Sequence, residues 1–250
     1  MRNILIIAAR ELRGLFLSPL AWSILGVVQF IHAYLFMSNL KGFTQIASRL
    51  NLMDNPPGLT EVVVVPVFGG WITIVLWLVI VPLLTMRLIS EERRNRSLSL
   101  LFSAPLSMTE IVLGKYLGVV AFLLVMILML SLMPLSLLGN GSLDLGHLAA
   151  ILLAAFLLSA SFAATLTQYP VVAAIGTMGV LLLLLVMGWV GNPVTVDGSP
   201  NLMATLSILT HYGNLLQGVL DSADLSYFLL LILAMIILSI RRLDADRLQN

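Results

Sequence analysis

Few side chains in this sequence have types that do chemistry, and their spacing limits what they can support. The three histidines, His32, His147 and His211, are scattered on separate segments without metal-ligand spacing, so no metal site is expected. Ser159 or Ser161 with His147 or His211 is the nearest approach to a nucleophile and base. No Gly-x-Ser-x-Gly elbow accompanies them, however, and the two histidines sit at the edges of apolar runs, so no catalytic residue is assigned. No Gly-x-x-x-x-Gly-Lys-Ser/Thr loop occurs, so this chain has no phosphate-binding loop of its own and no cofactor is expected on it. Cysteine is absent, which excludes disulfides, thiolate zinc sites and thiol nucleophiles. Gln29 and His32 are three residues apart and share one face of a helix. In an apolar segment such a face either lines a pathway or holds helices together by a hydrogen bond; the second reading is preferred.

The elements that carry these residues follow from composition. Of 250 residues 60% are hydrophobic and 10% charged, with a mean hydropathy of +1.05. A soluble domain carries roughly 25% charged residues to cover its surface. This chain cannot coat a globule in water, and in lipid only helices or closed barrels satisfy their own backbone. Its apolar stretches are continuous rather than alternating, which selects helices. The expectation is an all-α polytopic integral membrane protein of about six transmembrane helices, forming one domain over 1–250.

A span needs about 20 apolar residues. Expected spans run over 20–40, 62–86, 116–138, 145–167, 171–190 and 227–240, the last extended back to Asp224. No residue between Asp144 and Asp197 is charged, leaving room for two spans broken at Gln168-Tyr169-Pro170. Six spans place Arg2, Arg10, Arg13, Arg87, Arg93, Arg94, Arg96, Lys115, Arg241, Arg242 and Arg247 on one side, with Lys41 and Arg49 opposite. The positive-inside rule then puts both termini in the cytoplasm. Residues 1–19 read as an interfacial helix and mature sequence rather than a cleaved leader, because Arg10, Glu11 and Arg13 interrupt any apolar core. Outside, a loop over about 41–61 and a stretch over 191–223 are expected, the latter holding a re-entrant or interfacial helix. Ser159, Ser161, Thr165 and Thr167 suit close helix packing, and Gly69-Gly70 and Gly176-x-x-Gly179 suit close contact or bending.

The cytoplasmic segment over 87–114 is the most informative. It opens on Glu91, Glu92, Arg93, Arg94 and Arg96, turns apolar over Leu98 to Phe102, and stops near Pro105. Thr109 is placed to cap the next helix, with Glu110 in its first turn. A short helix, a proline-bounded turn and a new helix start would present mixed side chains to a soluble partner. The alternative is a snorkelling loop without a partner.

The run Glu91-Glu92, Leu98 to Phe102, Ala104-Pro105-Leu106-Ser107 and Ile111 to Lys115 resembles the cytoplasmic loop of ABC-2 type permeases. Ala9-Arg10-Glu11-Leu12 with Ser18-Pro19-Leu20-Ala21-Trp22, Gly218 to Asp221, and Arg241-Arg242-Leu243 are similar to the family's ends. The resemblance covers nearly the whole chain and is greatest to the gliding-motility-associated branch, related to permeases of nitrous-oxide reductase maturation. Where the family has Gly-Thr, this chain has Arg96-Ser97, and arginine tolerates a tight bend less well than glycine.

The resemblance implies a permease of the bacterial cytoplasmic membrane, working in export, with ATP and Mg held by a separate dimeric ATPase subunit. A second permease copy or homologue, and a membrane protein with a large external domain, are implied as further partners. The loop would be a coupling helix. Glu91, Glu92, Arg93, Arg94 and Arg96 would make its polar contacts, Leu98, Leu101 and Phe102 its apolar anchor, and Pro105 its end. Arg10, Glu11 and Arg13 would flank the docking surface, and Gln29 and His32 remain the residues to consider for a pathway. A membrane scaffold that transmits force, and a stand-alone secondary transporter, are the competing readings. No carboxylate lies deep in a span to serve a proton-driven transporter.

Overall fold

The computed structural model describes residues 2–50, 56–94, 107–139, 143–164, 179–188 and 205–248, with side chains omitted at 49–50, 86–94, 242–243 and 245–248. Every regular element among them is helical. These are α1 (Arg2–Phe16), α2 (Pro19–Leu50), a π-helical turn (Thr60–Val64) leading into α3 (Val65–Gly69), α4 (Trp71–Arg94), α5 (Met108–Leu135), α6 (Leu145–Ala163), α7 (Gly179–Gly188), α8 (Ile208–Leu216) and α9 (Ser222–Leu248). Among the described residues five segments are long and apolar enough to cross a membrane: Pro19–Ser48, Thr60–Thr85, Met108–Leu135, Leu145–Ala163 and Ser222–Arg241. Helix α7 lies within the expected fifth span, whose remaining residues fall outside the described set, as do Gln168-Tyr169-Pro170, Thr165, Thr167 and Gly176.

Local chemistry explains the boundaries. Ser18 begins α2, its Oγ accepting from the Leu20 amide at 3.2 Å, and Pro19 occupies a first-turn position where its missing N–H costs nothing. Helix α2 does not stop at Leu40 but continues through Lys41 to Leu50, correcting the expected start of the first external loop. Its 32 residues measure about 48 Å, well beyond a hydrocarbon core of about 30 Å. Helix α5 is capped by Ser107 rather than Thr109. The Glu110 amide donates to Ser107 Oγ at 3.2 Å, and Glu110 Oε2 accepts from the Ser107 amide at 3.2 Å, a capping box. Asp144 caps α6, accepting from the Gly146 and His147 amides at 2.9 and 3.1 Å. Helix α9 starts at Ser222 and runs to Leu248, longer at both ends than expected.

The second span is a broken helix. It stops at Gly69, Gly70 is extended (φ −63°, ψ 145°), and α4 resumes at Trp71. A break inside lipid is tolerated only where the freed backbone groups find partners. Here Thr73 Oγ1 donates to the Val67 carbonyl at 2.5 Å and the Tyr212 hydroxyl to the Phe68 carbonyl at 2.9 Å. The Gly69-Gly70 pair thus makes the bend its composition suggested.

Contacts sort the helix ends into two sets. Asn3 of α1 reaches Glu110 at the start of α5 (3.1 Å), and Ser239 of α9 reaches the Ala164 carbonyl beyond α6 (3.2 Å). The opposite set holds the Asp144 amide bonded to Thr60 Oγ1 (3.1 Å), and His147 against the Leu216 carbonyl at the end of α8 (2.7 Å). The core between them is dominated by α5 and α6, with Phe122, Leu123, Ile151, Leu158 and Phe162 fully enclosed. Ser159 and Ser161 are buried and donate to carbonyls of their own helix, Phe156 at 3.0 Å and Leu158 at 2.7 Å. Replacing Tyr212 by Phe leaves the Phe68 carbonyl without its hydroxyl donor. The variant should lose about 1–3 kcal/mol, readable as an earlier denaturation midpoint in mixed micelles.

Candidate functional site

Helix α1 owes its place to a stripe. Ile7, Glu11 and Leu15, at i, i+4 and i+8, are its buried residues, and that spacing puts them on one face. The face lies on α5 where α5 is narrowest, at Gly114 and Gly118. A Cβ added to Gly114 would stand 2.6 Å from Ile7 Cβ, and one added to Gly118 would stand 2.8 Å from Glu11 Cβ. Only glycine allows the two backbones this close. The Phe16 ring packs against Phe122 at 5.3 Å between centroids, and Trp22 Nε1 donates to the Phe16 carbonyl at 2.7 Å, closing the corner between α1 and α2.

A charged pair lies within this contact. Lys115 Nζ donates to Glu11 Oε1 at 3.3 Å, with both side chains 10% exposed or less, and Arg10 Nη2 meets the same oxygen at 3.1 Å. Lys115 therefore belongs to the helix interface, not to the surface of the loop. One turn earlier Glu110 serves two roles, closing its own capping box and accepting from Asn3 Nδ2. The first two turns of α5 and the whole of α1 are thus locked together by backbone proximity, an ion pair and a shared carboxylate.

The segment that precedes this lock is the expected coupling loop. Helix α4 persists to Arg94 and α5 begins at Met108, so both helices reach into the segment over 87–114. Glu91, Glu92, Arg93 and Arg94 fall on the last turn of α4; Arg96, Leu98, Leu101, Phe102 and Pro105 lie outside the described residues. Of the three residues expected beside the docking surface, Glu11 is buried, Arg10 pairs with it, and Arg13 is exposed on the far face.

Gln29 and His32 take different partners. Gln29 Nε2 donates across to the Met129 carbonyl of α5 at 3.2 Å. His32 is fully buried, donates from Nδ1 to the Val28 carbonyl at 2.9 Å, and tilts against the Phe68 ring at 5.9 Å. No cluster of His, Cys, Asp or Glu among the described residues has the geometry to hold a metal ion.

Sequence reasoning missed the Gly114 and Gly118 seat, although a signal was present: Gly114-Lys115-Tyr116-Leu117-Gly118 is a Gly-x-x-x-Gly run. The partnership of Glu11 with Lys115 spans 104 residues and has no local signature. Lys115→Met should leave the buried Glu11 with Arg10 and cost up to about 3 kcal/mol, whereas Glu11→Met with Lys115→Met should recover most of that loss. Thermal unfolding of the two purified variants in one detergent checks the ordering.

Comparison with known proteins adds the remaining finding. Among curated proteins, none is similar enough in sequence to be counted a relative. Residues 61–242 match the family model described as ABC-2 family transporter protein, a stretch that includes the broken second span, α5 with its glycine seat, α6, α8 and most of α9. With a bundle of membrane-crossing helices and no phosphate-binding loop, this chain belongs to the ABC-2 transporter family as a multi-pass membrane component.

Proposed function

We propose that the chain is a permease subunit that couples ATP hydrolysis on a separate subunit to export of a substrate across a bacterial cytoplasmic membrane. The observation that supports this most directly is the lock between α1 and the first turns of α5. A soluble partner pushing on residues 91–105 would act on α4 at one end and on α5 at the other. Because α5 carries α1 with it through Gly114, Gly118 and Lys115, a displacement of the loop becomes a displacement of helices rather than a local flexing of the chain.

In this reading both termini are cytoplasmic, and Arg2, Arg10, Arg13, Lys115 and Arg241 mark the cytoplasmic end of the bundle. Glu91, Glu92, Arg93, Arg94 and Arg96 contact the ATPase, and Leu98, Leu101 and Phe102 anchor in its groove. ATP and Mg are bound by the ATPase dimer. A second permease, identical or homologous, completes the membrane part, and the gliding-motility-associated branch is the proposed affiliation. The same lock would also serve an assembly that transmits force instead of moving a solute.

The test is recovery of the tagged protein from mild detergent with whatever accompanies it. A phosphate-loop ATPase in near one-to-one ratio is expected. Leu101→Asp with Phe102→Asp should remove it while leaving the membrane protein monodisperse. An intact complex with that double variant would refute the proposed docking contact, and a preparation free of any ATPase would refute the subunit assignment.

A further inference from the structure

The opposite end of the bundle holds a second polar cluster, unconnected with the loop. Helix α8, nine residues long, spans about 14 Å and cannot cross a membrane. It is nevertheless inserted in the bundle, with Ile208, Tyr212 and Leu215 buried. Polar bonds among the described residues secure it and the turn before it. Tyr212 donates to Phe68 on α3, His147 of α6 meets the Leu216 carbonyl, Tyr227 of α9 donates to the Leu206 carbonyl at 2.7 Å, and His211 pairs with Asp224 of α9.

The last bond differs in kind. His211 Nε2 lies 2.9 Å from the Thr205 carbonyl, which can only accept, so this nitrogen carries a hydrogen. His211 Nδ1 lies 2.5 Å from Asp224 Oδ1, and a second proton must sit between these two atoms for the contact to be attractive. Asn214 Nδ2 donates to the same oxygen at 3.3 Å. The Tyr227 ring stacks on the imidazole at 4.0 Å between centroids and 22° between planes. Asp224 is 3% exposed, and its Oδ2 has no partner among the described residues.

From this geometry we infer that His211 and Asp224 form a one-proton latch that fastens α8 to the start of α9. With the shared proton in place the pair is a charge-assisted hydrogen bond. If that proton leaves, the neutral ring keeps one hydrogen for two acceptors, so one of the bonds to Asp224 and Thr205 is lost and the other is no longer charge-assisted. If another proton binds, the carboxylate is neutralised and the attraction falls to that of a neutral acceptor. The contact therefore weakens on both the acid and the alkaline side.

Among the described residues no neighbouring group compensates. From α9, Asp221 accepts from the Ala223 amide at 3.1 Å and Tyr227 already donates to Leu206. From α6 the titratable group is His147, with Asp144 as the helix cap. The bond of His147 to Leu216 needs only an Nε2 hydrogen, present in both the neutral and the charged ring, so an added proton leaves it intact. Helices α3 and α7 carry no titratable side chain. The inference goes beyond the coupling reading and does not depend on an ATPase or on which side of the membrane α8 faces.

The chain has no cysteine, so introduced thiols report cleanly. Leu215→Cys places one at a fully buried position, and Val219→Cys places a control at a position 56% exposed. Maleimide labelling of each variant in detergent is read between about pH 5 and about pH 9. The ratio of the two rates cancels the pH dependence that the two thiolates share, and the same ratio in the Asp224→Asn background carries whatever burial adds. The ratio should be lowest at an intermediate pH and rise roughly tenfold or more toward each extreme, as loss of a hydrogen bond to a charged group requires. Asp224→Asn should flatten the curve, because an amide can donate to a bare Nδ1 or accept from a protonated one. If that variant does not fold, His211→Gln should remove the alkaline limb alone. A flat ratio in the parent protein, or an unchanged pH curve in the folded variant, would overturn the latch.

Discussion

In hydrocarbon no water replaces a missing hydrogen bond, and this constraint governs where the chain can depart from a straight helix. The second span departs at Gly70, and its exposed carbonyls are taken up by Thr73 from the same span and Tyr212 from α8. The break and the short buried helix therefore require each other. Helix α8 has a place to insert because the span is broken, and the span can be broken because α8 brings a hydroxyl to it. Leu216 completes the fit, its Cδ1 lying where Gly69 would carry a Cβ.

The end of the bundle that carries α1 obeys a second rule, that helices approach most closely where side chains are absent. Gly114 and Gly118 open a seat on α5, and α1 fills it with Ile7 and the aliphatic part of Glu11. The Glu11 carboxylate is thereby drawn out of water and must be matched, which Lys115 and Arg10 do. Such a pair adds little net stability against an apolar substitute, but it selects one register for α1. Sliding α1 by a residue would separate the charges and take Ile7 and Glu11 off the glycines that seat them.

Much of the fold was legible because each span is a continuous apolar run bounded by charge or proline. Asp144 and Asp197 bracket the charge-free stretch, and Gly69-Gly70 marked the bend. The misreadings share one cause: hydropathy reports where lipid ends, not where a helix ends. Lys41 lowers the hydropathy of α2 without disfavouring helix, so α2 runs on; Arg241 does the same for α9. Ser107 outcompeted Thr109 as cap because Glu110 falls at its third helical position and closes the box from the other side. Local signals cannot reveal pairs made by packing. Glu11 with Lys115 and His211 with Asp224 depend on which helix faces which, and in both cases the partner sits on another element.

The seat for α1 also sets an order in time. Helix α1 is made first, yet the glycines that receive it lie more than 100 residues later, as the separation of 104 between Glu11 and Lys115 measures. At a synthesis rate of about 5–20 residues per second, α1 exists for about 5–20 s before its seat is made. During that interval its buried face, with Ile7 and Leu15, must lie on the bilayer surface or on a chaperone. Helix α1 can therefore take its seat only after α5 has been made.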